Sequence, residues 1–210
     1  MDLDLYWNNR FLSQGMIWGQ SPSKTVYNAI EIFKSFQVKT VLVPGSGYGR
    51  NTKALSFSFQ VDGIEISHEA VKLAKDWDPH SNFICGSVLN EPIDGKQYDA
   101  IYCYDLLHLF LFEDRIRLIQ NCSKRLKPSG IMFFTCFSDE DPHNGVGRMV
   151  EEGTFEYVEG KIAHFFTESD LIDHFRWGTL VDIGSTKEIL TYNDKSTKEY
   201  ILRFIIVRKT

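Results

Sequence analysis

No two of the four cysteines stand at the C-x-x-C spacing of a zinc ribbon or a thioredoxin-type redox centre. Cys85, Cys103, Cys122 and Cys136 are scattered, and Cys103 and Cys136 lie in apolar runs, where a thiol serves as a small buried hydrophobe. No metal site is expected from such a pattern. The chain also lacks a long Lys/Arg run, and its 28 acidic residues outnumber 23 basic ones, for a net charge of −5. This argues against a nucleic-acid groove as the main business. No apolar run approaches a membrane span. The start, Met1-Asp2-Leu3-Asp4, is acidic and lacks a signal-peptide pattern. Repeats and low-complexity tracts are missing too. The expectation is a chain without nucleic-acid or membrane partners, in a reducing, cytoplasmic setting.

What is present is enough apolar sequence, 43% of 210 residues, for one domain spanning 1–210 with a sizeable core. Its organising stretch runs from Thr40 to Gly49. Val41, Leu42 and Val43 read as a buried strand, and Pro44 closes it because it has no N–H to donate. Gly45, Gly47 and Gly49 follow at alternate positions, and a helix-like stretch runs from Arg50 through Leu55. A strand passing through a glycine turn into a helix forms a concave seat of backbone N–H groups that a ligand can approach closely. The next strand, Val61 to Ile66, carries Glu65 at its carboxyl end, twenty positions after Gly45. That spacing suits a carboxylate accepting hydrogen bonds from ribose hydroxyls in a nucleotide-binding α/β fold.

Upstream, residues 1–22 form an aromatic segment. Trp7 and Phe11 share a face if the segment is helical, and Trp18 lies beyond a glycine. These aromatics either pack the segment onto the sheet or close over a bound ligand, and the residues leave both readings open. Val26, Ala29, Ile30, Phe33 and Phe36 mark a helix over 23–37. Ser67 caps a helix opening at His68, Asn82–Gly86 is a short third strand, and Pro92 to Gly95 is a loop. Tyr98–Asp105 is a fourth strand ending in Tyr104 and Asp105. A helix over Glu113–Leu126 shows a stripe of Ile116, Ile119, Cys122 and Leu126, and Lys127-Pro128-Ser129-Gly130 stops it. Ile131–Phe137 is a buried fifth strand. Residues 138–166 are a long polar insert, Thr167-x-x-Asp170 opens a helix, and two final strands over Trp177–Leu190 and Lys198–Val207 pair as an antiparallel hairpin.

Strands alternating with helices imply an α/β three-layer sandwich: a mostly parallel seven-stranded sheet closed by an antiparallel C-terminal hairpin. Ligands bind such sheets outside the carboxyl ends of the strands, where strand order reverses. Gly45, Glu65, Ser87, Asp105 and Ser138 all map to that edge.

The third glycine comes one position early for the G-x-G-x-x-G dinucleotide pattern. Val41–Gly49, Gly63–Ser67, Tyr98–Ile101 and Leu126–Gly130 instead resemble the successive motifs of class I S-adenosylmethionine-dependent methyltransferases, with a Rossmann-like fold. The resemblance covers roughly residues 1–137. The aromatic lead and Pro44 look like the thiopurine methyltransferase branch, and the stretch from Phe155 to Phe175 looks like the tellurite-resistance branch.

The resemblance implies S-adenosylmethionine as cofactor. Gly45, Ser46 and Gly47 would line its methionine end, Glu65 would hold the ribose, Ile66 would pack on adenine, and Ser87 and Val88 would bracket the ring. Tyr104 and Asp105 would meet it near the sulfonium, with Trp7, Phe11 and Trp18 enclosing it. Two positions depart from the family pattern: Ser87 stands where many relatives have Asp, and the usual acid just before the glycine turn is missing. The acceptor would be a small molecule, a thiol or another soft nucleophile, met on the side of the 138–166 insert. An amine or hydroxyl acceptor would want a base, for which His108 is the leading candidate, ahead of His143 and His164. Arg10 and Arg148 are candidates for holding an anionic acceptor. The alternatives are a non-catalytic S-adenosylmethionine-binding module, a nicotinamide dehydrogenase, and a protein or nucleic-acid methyltransferase. Monomer and homodimer are both open.

Overall fold

The fold is that of a computed structural model, which describes residues 3–90 and 95–210. In chain order its elements are α1 (Leu3–Gln14), α2 (Lys24–Ser35), β1 (Thr40–Pro44), α3 (Thr52–Ser56), β2 (Gln60–Glu65), α4 (His68–Trp77), β3 (Asn82–Cys85) and β4 (Tyr98–Cys103). A single 3-10 turn (Leu107–Leu109), α5 (Phe112–Arg125) and β5 (Leu126–Phe137) follow, then β6 (Arg148–Glu151), β7 (Thr154–Val158), β8 (Lys161–His164), α6 (Glu168–His174), β9 (Thr179–Thr191) and β10 (Thr197–Arg208).

One sheet has the strand order β3-β2-β1-β4-β5-β10-β9. Its first five strands run parallel, and β10 inserts antiparallel between β5 and β9. The alternation of side chains along each strand divides the core. Val41, Val43, Val61, Ala100, Tyr102, Ile131 and Phe133 face α2 and α3, whereas Leu42, Ile101, Cys103, Met132 and Phe134 face α5 and α6. The mostly parallel seven-stranded sheet with a closing antiparallel hairpin is the expected fold. Strand order reverses between β1 and β4, which places the candidate site above their tips.

Local chemistry sets the boundaries. Ser67 Oγ accepts from the Ala70 N–H and starts α4, and the Thr167 hydroxyl accepts from the Asp170 N–H and starts α6. The helix expected from Arg50 begins instead at Thr52, because Gly49 at φ +84° holds the chain in a turn. On α5 the buried positions are Arg115, Leu118, Ile119, Asn121 and Cys122, and Ile116 is half-buried. β5 begins at Leu126 rather than Ile131. The register against β4 jumps between Tyr98 and Ala100, and Ser129 at φ +62° forms the irregularity. Pro92, Ile93 and Asp94 of the loop expected there lie outside the described residues.

The largest departure is the insert. Residues 148–164 form a second, three-stranded antiparallel sheet, β6-β7-β8, with Gly153 and Gly160 at positive φ in its two turns. Each strand is only four or five residues long, and Met149, Tyr157 and Val158 are exposed, so the period-two signal is weak. Buried polar groups fasten this sheet. Arg115 pairs with Glu151 at 2.6 Å, Thr154 Oγ1 bonds His164 Nδ1 at 2.7 Å, and His164 Nε2 bonds Asp170 at 2.6 Å. Burial would raise the Asp170 carboxyl, but the bonds from His164 and His174 outweigh it and hold the group below its ordinary range.

Arg203 of β10 closes the strand-to-insert junction. Its guanidinium donates to the Phe166 carbonyl at 3.0 Å, the Ser138 hydroxyl at 3.1 Å and Asp139 at 2.6 Å. Replacing this buried residue leaves three acceptors short of a donor. Arg203→Ala should therefore lose on the order of 3 kcal/mol in urea unfolding; a loss below about 1 kcal/mol would show that the junction is not held this way.

Candidate active site

The bend after β1 is built from backbone conformations that glycine adopts freely: φ is +64° at Gly45 and +55° at Gly47. The Ser46 N–H donates to the Ile64 carbonyl at 3.1 Å, which seats the bend on β2. A side chain at Gly63 would meet Ser46 Oγ at 2.6 Å, so β2 needs a glycine beside the bend. Glu65 is 6% exposed, and its carboxylate bridges two main-chain donors, Gly47 N–H and Ser67 N–H, each at 2.9 Å. Burial raises its pKa, and these bonds oppose the rise. Ser46 Oγ is buried with no hydrogen-bond partner among the described residues.

The aromatic segment rests directly on this bend. Phe11 Cζ lies 4.0 Å from where a Cβ at Gly47 would stand. Trp7, Phe11, Trp18 and Tyr48 pack together with ring centroids 5.9 to 6.2 Å apart. Tyr48 OH donates to the Gly19 carbonyl at 2.7 Å, and Arg10 lies over the rings of Trp7 and Trp18. Asn8 was not singled out from the sequence, yet its Oδ1 accepts from Ser67 Oγ at 2.9 Å and from the Glu69 N–H at 3.3 Å. It pins α1 beside Glu65. The aromatics thus pack the segment onto the glycine bend. Leu3, Ile84, Val88, Leu89 and Leu106 are partly buried and pack against the core on the α5 side of the sheet. Ile66 and Ser87 are half-buried, and Ser87 Oγ accepts from the Leu89 N–H at 3.2 Å. A separate cleft of about 370 Å³, lined by Gln60, Asp62, His80, Lys96 and Tyr98 among others, opens at the opposite edge of the sheet.

Above β4, Asp105 has φ +49°. Thr135 Oγ1 donates to its Oδ1 at 2.8 Å, and its own N–H donates to the Thr135 carbonyl at 3.2 Å. Two charged neighbours have no motif to announce them. Arg50 is buried, donates to the Ser21 carbonyl and lies over the Tyr104 ring, and buried Glu188 accepts from the Lys24 N–H. Burial pushes the Asp105 carboxyl up to about 7, Glu188 adds to the rise, and Thr135 and Arg50 oppose it.

His108 is 3% exposed, stacks on Phe137 at 3.8 Å, and has an unpartnered Nδ1 among the described residues. Burial lowers its pKa to about 3, with His164 adding to the fall. Burial thus disfavours a protonated imidazole at the position expected to hold a proton acceptor. His164 spends both ring nitrogens on Thr154 and Asp170, so it fastens the insert. Arg148 is paired with Glu156 on the surface. Of the expected residues, Gly45, Ser46, Gly47, Glu65, Phe11, Trp7 and Trp18 share one cluster. Tyr104, Asp105 and His108 follow β4, and Ser87 and Val88 follow β3.

Residues 42–134 match the family model described as a methyltransferase domain. Phosphoethanolamine N-methyltransferase of Plasmodium falciparum is 26% identical over 147 residues, 67% of this chain and 53% of that protein. The chain thus spans about half the length of this curated relative. Magnesium protoporphyrin IX methyltransferase of Synechocystis, solved with S-adenosylhomocysteine, superposes with a TM-score of 0.72 at 16% identity, over 99% of this chain and 98% of that one. TehB of Haemophilus influenzae superposes with a TM-score of 0.65 at 14% identity, over 88% of this chain and 62% of that one. The matched span and the shared fold make residues 42–134 similar to S-adenosylmethionine-dependent methyltransferase domains. No helix among the described residues is long and apolar enough to cross a membrane.

The raised carboxyl of Asp105 has a measurable consequence. In the unfolded chain an aspartate ionises near pH 3.9, so between about pH 4 and 7 the folded protein binds more protons and stability falls as pH rises. Above that window the cost is complete. Asp105→Asn should melt with the wild type at about pH 4 and several degrees above it at about pH 8. An equal gap at both values would contradict the shift.

Proposed function

We propose that this chain transfers a methyl group from S-adenosylmethionine to a small-molecule acceptor. The reading rests chiefly on the Glu65 carboxylate clasping the glycine bend at the point where strand order reverses. The residues present suit the cofactor. Each Glu65 oxygen accepts one main-chain bond and retains a lone pair for a ribose hydroxyl. Ser46 Oγ is a buried hydroxyl with bonding capacity to spare. Ile66, Val88, Leu89 and Leu106 offer apolar side chains for adenine, and Trp7, Phe11 and Trp18 exclude water from the bend.

When bound, S-adenosylmethionine supplies an electrophilic methyl group on a sulfonium sulfur. The protein's share is then alignment and dehydration, which are worth on the order of 7–11 kcal/mol in ideal cases. Tyr104 and Asp105 border the reacting region. His108, neutral and stacked on Phe137, shapes its wall. The acceptor belongs on the side of the insert and hairpin, and soft nucleophiles such as thiols suit a site without a base at 108. The thiopurine and tellurite-resistance branches remain the finer reading, supported by the aromatic lead and the likeness in fold to TehB. The four free cysteines agree with a reducing, cytoplasmic setting.

Calorimetry with S-adenosylmethionine, followed by transfer of labelled methyl to small thiols, amines and chalcogen oxyanions, tests the proposal. Glu65→Ala should weaken cofactor binding at least about tenfold through loss of charge-assisted bonds. Binding without transfer to any acceptor would favour a non-catalytic module, and tighter binding of NAD would favour a dehydrogenase.

A further inference from the structure

His108 is sealed, and among the described residues two imidazoles at the carboxyl end of the sheet are both exposed and paired with a carboxylate: His68 with Glu69 after β2, and His143 with Asp141 on the side of the insert. His143 follows β5 at the start of the insert. Its ring is 52% exposed, whereas the Asp141 side chain beside it is fully buried. Asp141 Oδ1 accepts from the His143 N–H at 2.9 Å and bonds the ring Nδ1 at 2.6 Å, and Asp141 Oδ2 accepts from the Ile201 N–H of β10 at 2.8 Å. A carboxylate that accepts from Nδ1 sets the ring proton there and leaves Nε2 as the nitrogen without a partner on Asp141.

The ring also has a defined place. It stacks on Tyr200 at 5.7 Å, Tyr200 lies flat on Phe137 at 5.3 Å, and Phe137 stacks on His108 at 3.8 Å. One column of four rings thus leads from the end of β4 to the mouth of the insert. The Tyr192 hydroxyl, 3.0 Å from that of Tyr200, borders it on the hairpin side.

We infer that His143, oriented by Asp141, takes the proton from an acceptor that binds against Tyr200 as a neutral thiol, phenol or amine. The inference rests on the methyltransferase reading and names the acceptor class it leaves open. As the acceptor atom bonds to the methyl carbon, its proton passes to His143 Nε2. The methyl–sulfur bond breaks with its electron pair left on sulfur, and His143 then releases the proton to solvent. His143 is the catalytic residue here, and Asp141 positions it.

The test uses the full chain with labelled S-adenosylmethionine and a panel of substituted thiophenols, phenols and amines of graded acidity. His143→Gln should lose about 100-fold or more in kcat/KM on the least acidic phenols, in line with general-base contributions. On thiophenols already ionised at the assay pH it should stay within about threefold of wild type, because no proton remains to be removed. A merely structural role would depress both groups alike. Nitrogen NMR of the histidine rings supplies a readout free of turnover: wild type should show His143 protonated on Nδ1, and Asp141→Asn should redistribute the tautomers. A proton on Nε2 in the wild type, or wild-type rates for His143→Gln on the weakest acids, overturns the assignment. Wild type that binds S-adenosylmethionine yet methylates none of the panel overturns the acceptor class. Failure to bind S-adenosylmethionine at all sinks the underlying methyltransferase reading instead.

Discussion

A single buried carboxylate holds together the parts of this protein that face the ligand side. Glu65 takes one N–H from the bend after β1 and another from the residue that caps α4. Two strand ends and a helix start are thereby tied at one point. The arrangement costs burial of a charge, and it is tolerable because both carboxylate oxygens have main-chain partners at the start of a helix. Much else adapts to it. Gly47 must present its N–H in a left-handed conformation, Gly63 must lack a side chain so that Ser46 can fit, and Asn8 anchors the aromatic helix to the same cap.

The tip of the sheet has two chemical characters. Over β1, β2 and β3 it is a carboxylate, a glycine bend and partly buried apolar side chains, suited to a nucleoside. Over β4, β5 and β10 it is a column of stacked rings flanked by Asp105, Arg50 and Glu188, fenced by the insert. Histidines in this second region differ sharply in what they can do. His108 is sealed and neutral, His164 is committed to Thr154 and Asp170, and His143 is exposed with its orientation set by a buried acid. The residue type is the same, and the surroundings divide the roles.

Relatives and solved structures agree with this division only at the level of the domain. The family model matches residues 42–134, which carry the bend, Glu65, the β4 end and Arg115, one of the insert's anchors. The insert itself lies outside that span.

Local patterns determined most of the scaffold. An apolar run closed by Pro44 marks β1, strand-like runs leading to Glu65 and Asp105 mark β2 and β4, the Thr167–Asp170 capping box marks α6, and the spacing from Gly45 to Glu65 marks the nucleoside side of the site. Each depends on neighbours close in sequence, where period and turn chemistry act directly. The β6-β7-β8 sheet escaped because its strands are too short and too exposed to show a period. Asn8, Arg50, Glu188 and the Asp141–Ile201 tie escaped because their partners lie far away along the chain. The choice among the histidines was also beyond the sequence. Basicity is set by burial and by a neighbouring charge, and both exist only once the chain has folded.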